Sequence, residues 1–360
     1  MGGPGCVRPT AVGILVALLM NACAEERDFR YKDNAKQYVT PDNATRLERR
    51  LGTNLPALQL VSLHTSPDAE QLRVLCWVNT FNMTHDRARA IKSTWGRRCD
   101  KLLFMSNVED PTIPTVRVVA PPTHEHLWQK HRYVVRVLAR EFDPASYDWI
   151  FKCDDDSYVI MDNLKYFLAR QDRDRPAIFG HRMTLQPWIM HEAFGDPTAM
   201  PRSYRHFLDK VTQATQDQGG LYYTPGGAGY AFNGAYLARL HDVLDDPFCI
   251  PHAVVPDDWA VSFCMLHEHV APRDTRDRHG RERFHQYSPE QVYFWPDDPD
   301  DYDHTMFDSI WDAQNWYSDH VGIGWKNGTE CCARDSIVFH YVDDMAAVDA
   351  FFYGGGVAMT

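Results

Sequence analysis

Three carboxylates in a row, Asp154-Asp155-Asp156, follow the run Tyr147-Asp-Trp-Ile-Phe-Lys152. Acidic triplets are more often surface turns. This one lies between a mostly apolar stretch and Ser-Tyr-Val-Ile, which argues for buried flanks. On an extended segment alternate residues point the same way, so Asp154 and Asp156 can share one hard cation. A cation held there would neutralise a diphosphate leaving group. Two more carboxylates, Asp257 and Asp258, follow Pro256 and open an apolar helical pattern. Acids in a first helical turn are ordinary N-terminal capping chemistry, but one facing a site could serve as a general base. Near the end, Ser336-Ile-Val-Phe-His340-Tyr341 is a strand-like run ending in a histidine. That histidine is either a hydrogen-bonded core residue or an imidazole ligand suited, beside carboxylates, to a transition metal such as manganese. Gly226-Gly227-Ala228-Gly229 offers close backbone approach, as a simple turn or against a ligand.

The elements that must position these residues alternate. Arg73–Val78, Lys101–Met105 and Thr115–Val119 read as strands, with helical patterns over Asp86–Trp95 and His124–Phe142 between and after them. The strand over Tyr147–Lys152 delivers the acidic triplet. Such alternation predicts an α/β fold with a mostly parallel sheet covered by helices on both faces, and ligands then bind beyond the carboxyl ends of the strands. No internal repeat is present. The acidic run Asp297-Asp298-Pro299-Asp300-Asp301 reads as a solvated loop.

The chain has 360 residues, 44% of them hydrophobic, enough for one large core. The formal charge of −12 and the lack of a basic stripe exclude a nucleic-acid partner. Residues 1–24 hold Arg8, an apolar run from Ala11 to Met20 and the small-x-small triplet Ala22-Cys23-Ala24. They are either a cleaved signal peptide or a short signal-anchor, and both deliver the rest of the chain to the secretory lumen. Residues 25–70 read as a polar stem, and 71–360 as the folded catalytic domain. In an oxidising lumen most of Cys76, Cys99, Cys153, Cys249, Cys264, Cys331 and Cys332 should be paired. Spacing suggests Cys76–Cys99 and Cys249–Cys264, leaves Cys331 and Cys332 vicinal, and does not fix the connectivity. Three sequons, at Asn43, Asn82 and Asn327, fit the same compartment.

Taken in chain order, Arg89-Ala-Ile-Lys-Ser-Thr-Trp95-Gly, Leu127-Trp-Gln-Lys130, Asp-Trp-Ile-Phe-Lys-Cys-Asp154-Asp-Asp156, Gly226-Gly-Ala-Gly, Asp257-Asp258 and Phe339-His340-Tyr341 resemble glycosyltransferase family 31 from Arg73 to Tyr341. These are β1,3-transferases with the GT-A fold, built as a single catalytic domain. Arg73-Val-Leu-Cys76-Trp77-Val, Tyr158-Val-Ile-Met-Asp162 and Cys331-Cys332 look most like members that place galactose on peptide-linked GalNAc. The resemblance implies UDP-galactose as donor, a GalNAc-bearing glycoprotein as acceptor and Mn2+ as cofactor, with a homodimer left open. It implies that Asn79, Lys130, Asp154, His340 and Tyr341 contact the nucleotide and that Asp154, Asp156 and His340 hold the metal. By the same resemblance Asp258 is the catalytic base and Trp316 stacks on the acceptor sugar. The compartment implied is the Golgi lumen, with the chain anchored as a type II membrane protein or released by cleavage. Met190–Leu221 is longer than in those members, and Pro122-Thr-His-Glu-His126 lacks their usual nucleotide contacts. Pro256-Asp257-Asp258 looks instead like fringe, which adds GlcNAc to O-fucose, so that reading stays open. So does a non-catalytic chaperone relative, although such a chaperone lacks the acidic motif retained here.

Overall fold

A computed structural model of the chain describes residues 61–121, 126–141, 146–185, 220–246, 256–289, 330–342 and 344–354, with a few single positions between. Its centre is a six-stranded sheet. In chain order the strands of that sheet are β1 (Val74–Asn79), β2 (Lys101–Ser106), β3 (Thr115–Arg117), β4 (Trp149–Asp154), β6 (Ile178–Gly180) and β9 (Tyr230–Asn233). They lie side by side as β3-β2-β1-β4-β9-β6. The first four run parallel, and β9 is antiparallel to both β4 and β6. All six residues of β1 and the first five of β4 are buried. Successive strand residues point to opposite faces, so burial of both sets means the sheet is covered on both sides.

Helix α1 (Pro67–Gln71) precedes the sheet, and α2 (His85–Ser93) joins β1 to β2 through a following 3-10 turn, Trp95–Arg98. The crossover α3 (Leu127–Glu141) returns the chain from β3 to β4, and its Trp128, Val134, Val135 and Leu138 are buried at helical spacing. Then come β5 (Tyr158–Val159), α4 (Met161–Leu168), β7 (Met183–Leu185) and β8 (Leu221–Tyr223), with α5 (Gly234–Val243) after β9. Helix α6 (Asp257–His267), β10 (Phe284–His285), β11 (Val338–Phe339) and α7 (Met345–Tyr353) complete the described fold. β11 lies between β10 and β5 in a small second sheet, which brings the C-terminal part of the chain to the end of β4. A single hydrophobic cluster runs from Val61 to Phe352.

Three elements differ from their expected bounds. Residues 61–70, read as the end of the stem, are packed on the domain. Val61 and Leu63 are buried, Ser62 N–H donates to the carbonyl of Arg334, and His64 N–H donates to Asn163 Oδ1. The apolar Val61 and Leu63 alternate with polar neighbours, so one face of this short segment has a core to cover. The strands expected over Thr115–Val119 and Ser336–Tyr341 are shorter. The first is the sheet's edge and leaves Val119 exposed, while the second ends at Phe339, and two residues on Tyr341 has a φ of +54°, which no strand could continue through. Cys76 bridges to Cys99, Cys249 to Cys264 and Cys331 to Cys332, and Cys153 is free and buried. No helix among the described residues is long and apolar enough to cross a membrane, and residues 1–24 lie outside them.

Candidate active site

The register of β1 against β4 places Asn79 opposite Asp154, each the last residue of its strand. Asn79 Oδ1 accepts from the indole N–H of Trp77 at 2.9 Å, which aims its Nδ2 at Asp154 Oδ1, 3.3 Å away. Lys130, from α3, donates to the carbonyl of Thr80 at 2.7 Å, just past the end of β1. Burial pulls its ammonium down to about 8, with Asp154 and Asp155 opposing that shift. These residues therefore share the C-terminal edge of the sheet, where the alternation of elements places a ligand site.

The chain leaves extended geometry at Asp154, and Asp155 and Asp156 lie in a turn. Alternation along a strand consequently does not govern the triplet, and its members take separate partners. Asp154 is half-exposed, 3.7 Å from Lys152 Nζ. Asp155 accepts from the hydroxyls of Thr80 and Thr84 at 2.6 and 2.5 Å, tying the segment after β1 to the end of β4. Burial, reinforced by the Asp156 charge, pushes Asp155 up to about 7. Asp156 Oδ1 stands 3.1 Å from His340 Nε2, and Arg87 lies 3.5 Å from its other oxygen. Burial works against its charge, but His340 and Arg87 hold it at about 2. Among the described residues no three His, Cys, Asp or Glu side chains converge as a ready-made metal cluster.

His340 follows β11, and its Nδ1 faces the carbonyl of Gln286 at 3.3 Å. A carbonyl only accepts, so Nδ1 donates in this contact, and Nε2 is the ring nitrogen that faces Asp156. Tyr341 stacks on the His340 ring with centroids 3.6 Å apart. Its left-handed backbone is rare for an aromatic residue, and strain of this kind collects at functional sites.

The glycine run is the hub of the site. A Cβ on Gly226 would stand 2.5 Å from Lys152 Nζ, 3.7 Å from Asp154 Oδ2 and 3.9 Å from Asp257 Oδ1. One on Gly227 would fall on the His340 ring. The clearance expected for a ligand is used first by the protein's own side chains. The Gly227 carbonyl is fixed by the hydroxyl of Ser157 at 2.7 Å, so the loop cannot easily retreat. Gly227→Ala is therefore expected to displace His340 while leaving the sheet intact. UDP binding in the presence of manganese, followed by calorimetry, should weaken roughly 10–100-fold. Unchanged affinity would separate His340 from nucleotide binding.

The two acids of α6 have different surroundings. Asp257 is buried and does not cap the helix. Its Oδ2 receives Lys152 Nζ at 3.2 Å and His131 Nδ1 at 3.0 Å. Burial opposes its charge, but Lys152 and the His131 hydrogen bond hold it below the ordinary carboxylate range. The Asp258 carboxylate accepts from the backbone N–H of Trp259 at 2.8 Å and from that of Gly226. Desolvation and the adjacent Asp257 charge push it up to about 7, a value suited to a general base near neutrality.

Asn79, Lys130, Asp154, Asp156, Asp258, His340 and Tyr341 thus gather around one glycine loop, and Trp316 lies outside the described residues. Sequence reasoning missed Lys152 and His131. Lys152 is the lone cation in the strand Trp149–Asp154, and His131 sits on the buried stripe of α3 between Trp77 and Trp128. A charge in an apolar run and a histidine on an apolar face were the available signals.

Comparison with known proteins identifies the family of the chain. Residues 73–305 match the Fringe-like family. The chain is 28% identical to glycoprotein-N-acetylgalactosamine 3-beta-galactosyltransferase 1 of Xenopus laevis over 312 residues, 83% of this chain and 73% of that protein. It is also 28% identical to a human beta-1,3-glucosyltransferase over 107 residues, 29% of this chain and 21% of that one. The mouse beta-1,3-glucosyltransferase is 23% identical over 190 residues, 52% of this chain and 32% of that protein. The chain belongs to the Fringe-like glycosyltransferases of family 31, and it is a β1,3-glycosyltransferase with an α/β domain of the GT-A kind.

Proposed function

We propose that the protein transfers galactose from UDP-galactose to the 3-hydroxyl of GalNAc on serine or threonine of a glycoprotein, with inversion at the transferred sugar. The observation carrying this reading is Asp258, bonded by the Gly226 N–H and pushed up to about 7 by burial and the adjacent Asp257 charge, beside a diphosphate-compatible edge made of Lys130, Asp156 and His340. Asp258 takes the proton of the attacking hydroxyl as its oxygen bonds to the donor's anomeric carbon and UDP departs from the opposite face. One displacement inverts the centre and requires no covalent intermediate on the enzyme. Lys130 carries positive charge to the leaving diphosphate, and Asn79 and Tyr341 border the nucleotide.

The donor types of Asp154, Asp156 and His340 support a manganese ion as the metal they would hold. Asp154 and Asp156 would supply carboxylate oxygens, and His340, whose Nε2 stands 3.1 Å from Asp156 Oδ1, would supply an imidazole nitrogen once deprotonated. Such an ion would supply Lewis-acid stabilisation of the departing UDP. The three disulfides support a lumenal location, which we propose to be the Golgi with the N-terminus as signal-anchor or signal peptide. Trp316 is proposed as the acceptor's stacking partner.

Membership in the Fringe-like family keeps GlcNAc transfer to O-fucose as the second reading. A donor-by-acceptor screen with the purified lumenal domain separates them. Galactose on GalNAc-peptide is the expected product, and GlcNAc on O-fucosylated peptide with no galactose transfer would overturn the substrate assignment.

A further inference from the structure

Lys152 is almost wholly buried in the middle of the sheet, and a buried cation is costly unless paired. Its ammonium lies 3.2 Å from Asp257 Oδ2 and 3.7 Å from Asp154 Oδ1, with the Tyr230 ring 5.3 Å away. His131 reaches the same Asp257 oxygen from α3. Burial holds the imidazole neutral, so its Nδ1–H donates. Asp257 therefore has one oxygen occupied by two donors and the other toward Gly226, which leaves it poorly placed to take a proton from an acceptor. Three elements, β4, α3 and α6, meet at this one carboxylate, immediately before the residue assigned as base.

We propose that Asp257, clamped by Lys152 and His131, is a positioning residue for the transfer, fixing the start of α6 against β4 and setting the charge around Asp258. The inference rests on Asp258 being the base. The groups facing Asp258 are Asp257 on its own helix, Lys152 from β4, Tyr223 from β8, Tyr230 from β9 and the Gly226 amide. Tyr223 and Tyr230 are both raised well above the ordinary tyrosine value by burial, so they stay neutral around neutral pH. Asp257 and Lys152 are then the charges that tune Asp258, acting in opposite directions with Asp257 the stronger.

The test is the pH dependence of kcat/KM for Asp257→Asn, Asp258→Asn, the double variant Asp257→Asn/Lys152→Met and the unmutated protein. UDP affinity and Tm are measured alongside. Removing the Asp257 charge while Lys152 remains should move the acidic limb of the profile down by about one pH unit or more. Removing both charges should give a limb between that of Asp257→Asn and that of the unmutated protein. The double variant also leaves no unpaired buried ammonium, so it reports even if Asp257→Asn folds poorly. A uniform loss of rate with both limbs unmoved is the signature of a purely structural role and overturns the proposal. Asp258→Asn distinguishes the two possible failures. If it retains turnover and the acidic limb, the base assignment has failed and the inference falls with it. If its turnover is lost while the limbs of the other variants stay in place, only the positioning role is refuted.

Discussion

Asp258→Asn is expected to lower turnover by roughly 100-fold or more while leaving UDP affinity close to that of the unmutated protein. The asparagine preserves size and can still accept from the Gly226 and Trp259 amides, so the loop and helix start should hold. What disappears is the site for the acceptor's proton. The pH profile gives the same role an independent signature. A carboxyl pushed up to about 7 is protonated below that pH and cannot accept a proton, so kcat/KM in the unmutated enzyme should fall about tenfold per unit on the acidic side. Above about 7 it should level off. Steady-state kinetics with a glycopeptide acceptor and calorimetry with UDP check both statements. Unchanged turnover in Asp258→Asn would remove it as the base.

Excess EDTA is expected to abolish transfer, and added manganese to restore it. The ligand types carry this expectation. Asp156, held at about 2, is ionised throughout the working range, and its Oδ1 stands 3.1 Å from a ring nitrogen whose partner nitrogen faces the Gln286 carbonyl. An ionised carboxylate beside an imidazole is a donor set suited to a divalent transition metal. UDP itself brings negative charge that Lys130 alone does not balance. Asp156→Asn should reproduce the EDTA result in the presence of manganese, with Tm showing that the fold persists. Full activity in chelator would end the metal-dependent account.

Much of this organisation is readable in the residues. Continuous apolar runs ending in Asn79 and Asp154 marked the parallel strands because strands buried on both faces carry no alternation. The helix start at Asp257 and the late strand before His340 were equally plain. The acidic triplet illustrates the limit. Strand alternation paired Asp154 with Asp156, yet the strand stops at Asp154, and a turn sends Asp156 toward His340, nearly two hundred positions later in the chain. Contacts at that separation leave no local pattern. The clamp on Asp257 was hidden for the same reason, since Lys152 and His131 each look like a blemish on an apolar face until α3, β4 and α6 are brought together. Residues 61–70 were misplaced because Val61 and Leu63 form too short an apolar pattern to distinguish from a linker.

The measurement that most directly tests the central claim is the structure of the product. Incubating the purified lumenal domain with UDP-galactose, manganese and a GalNAc-peptide, then assigning the new linkage by NMR, reports donor, acceptor, position and stereochemistry together. The account predicts galactose joined in β configuration to the 3-oxygen of GalNAc. An α-linked sugar, attachment at another hydroxyl, or no transfer by a folded, UDP-binding protein would contradict it.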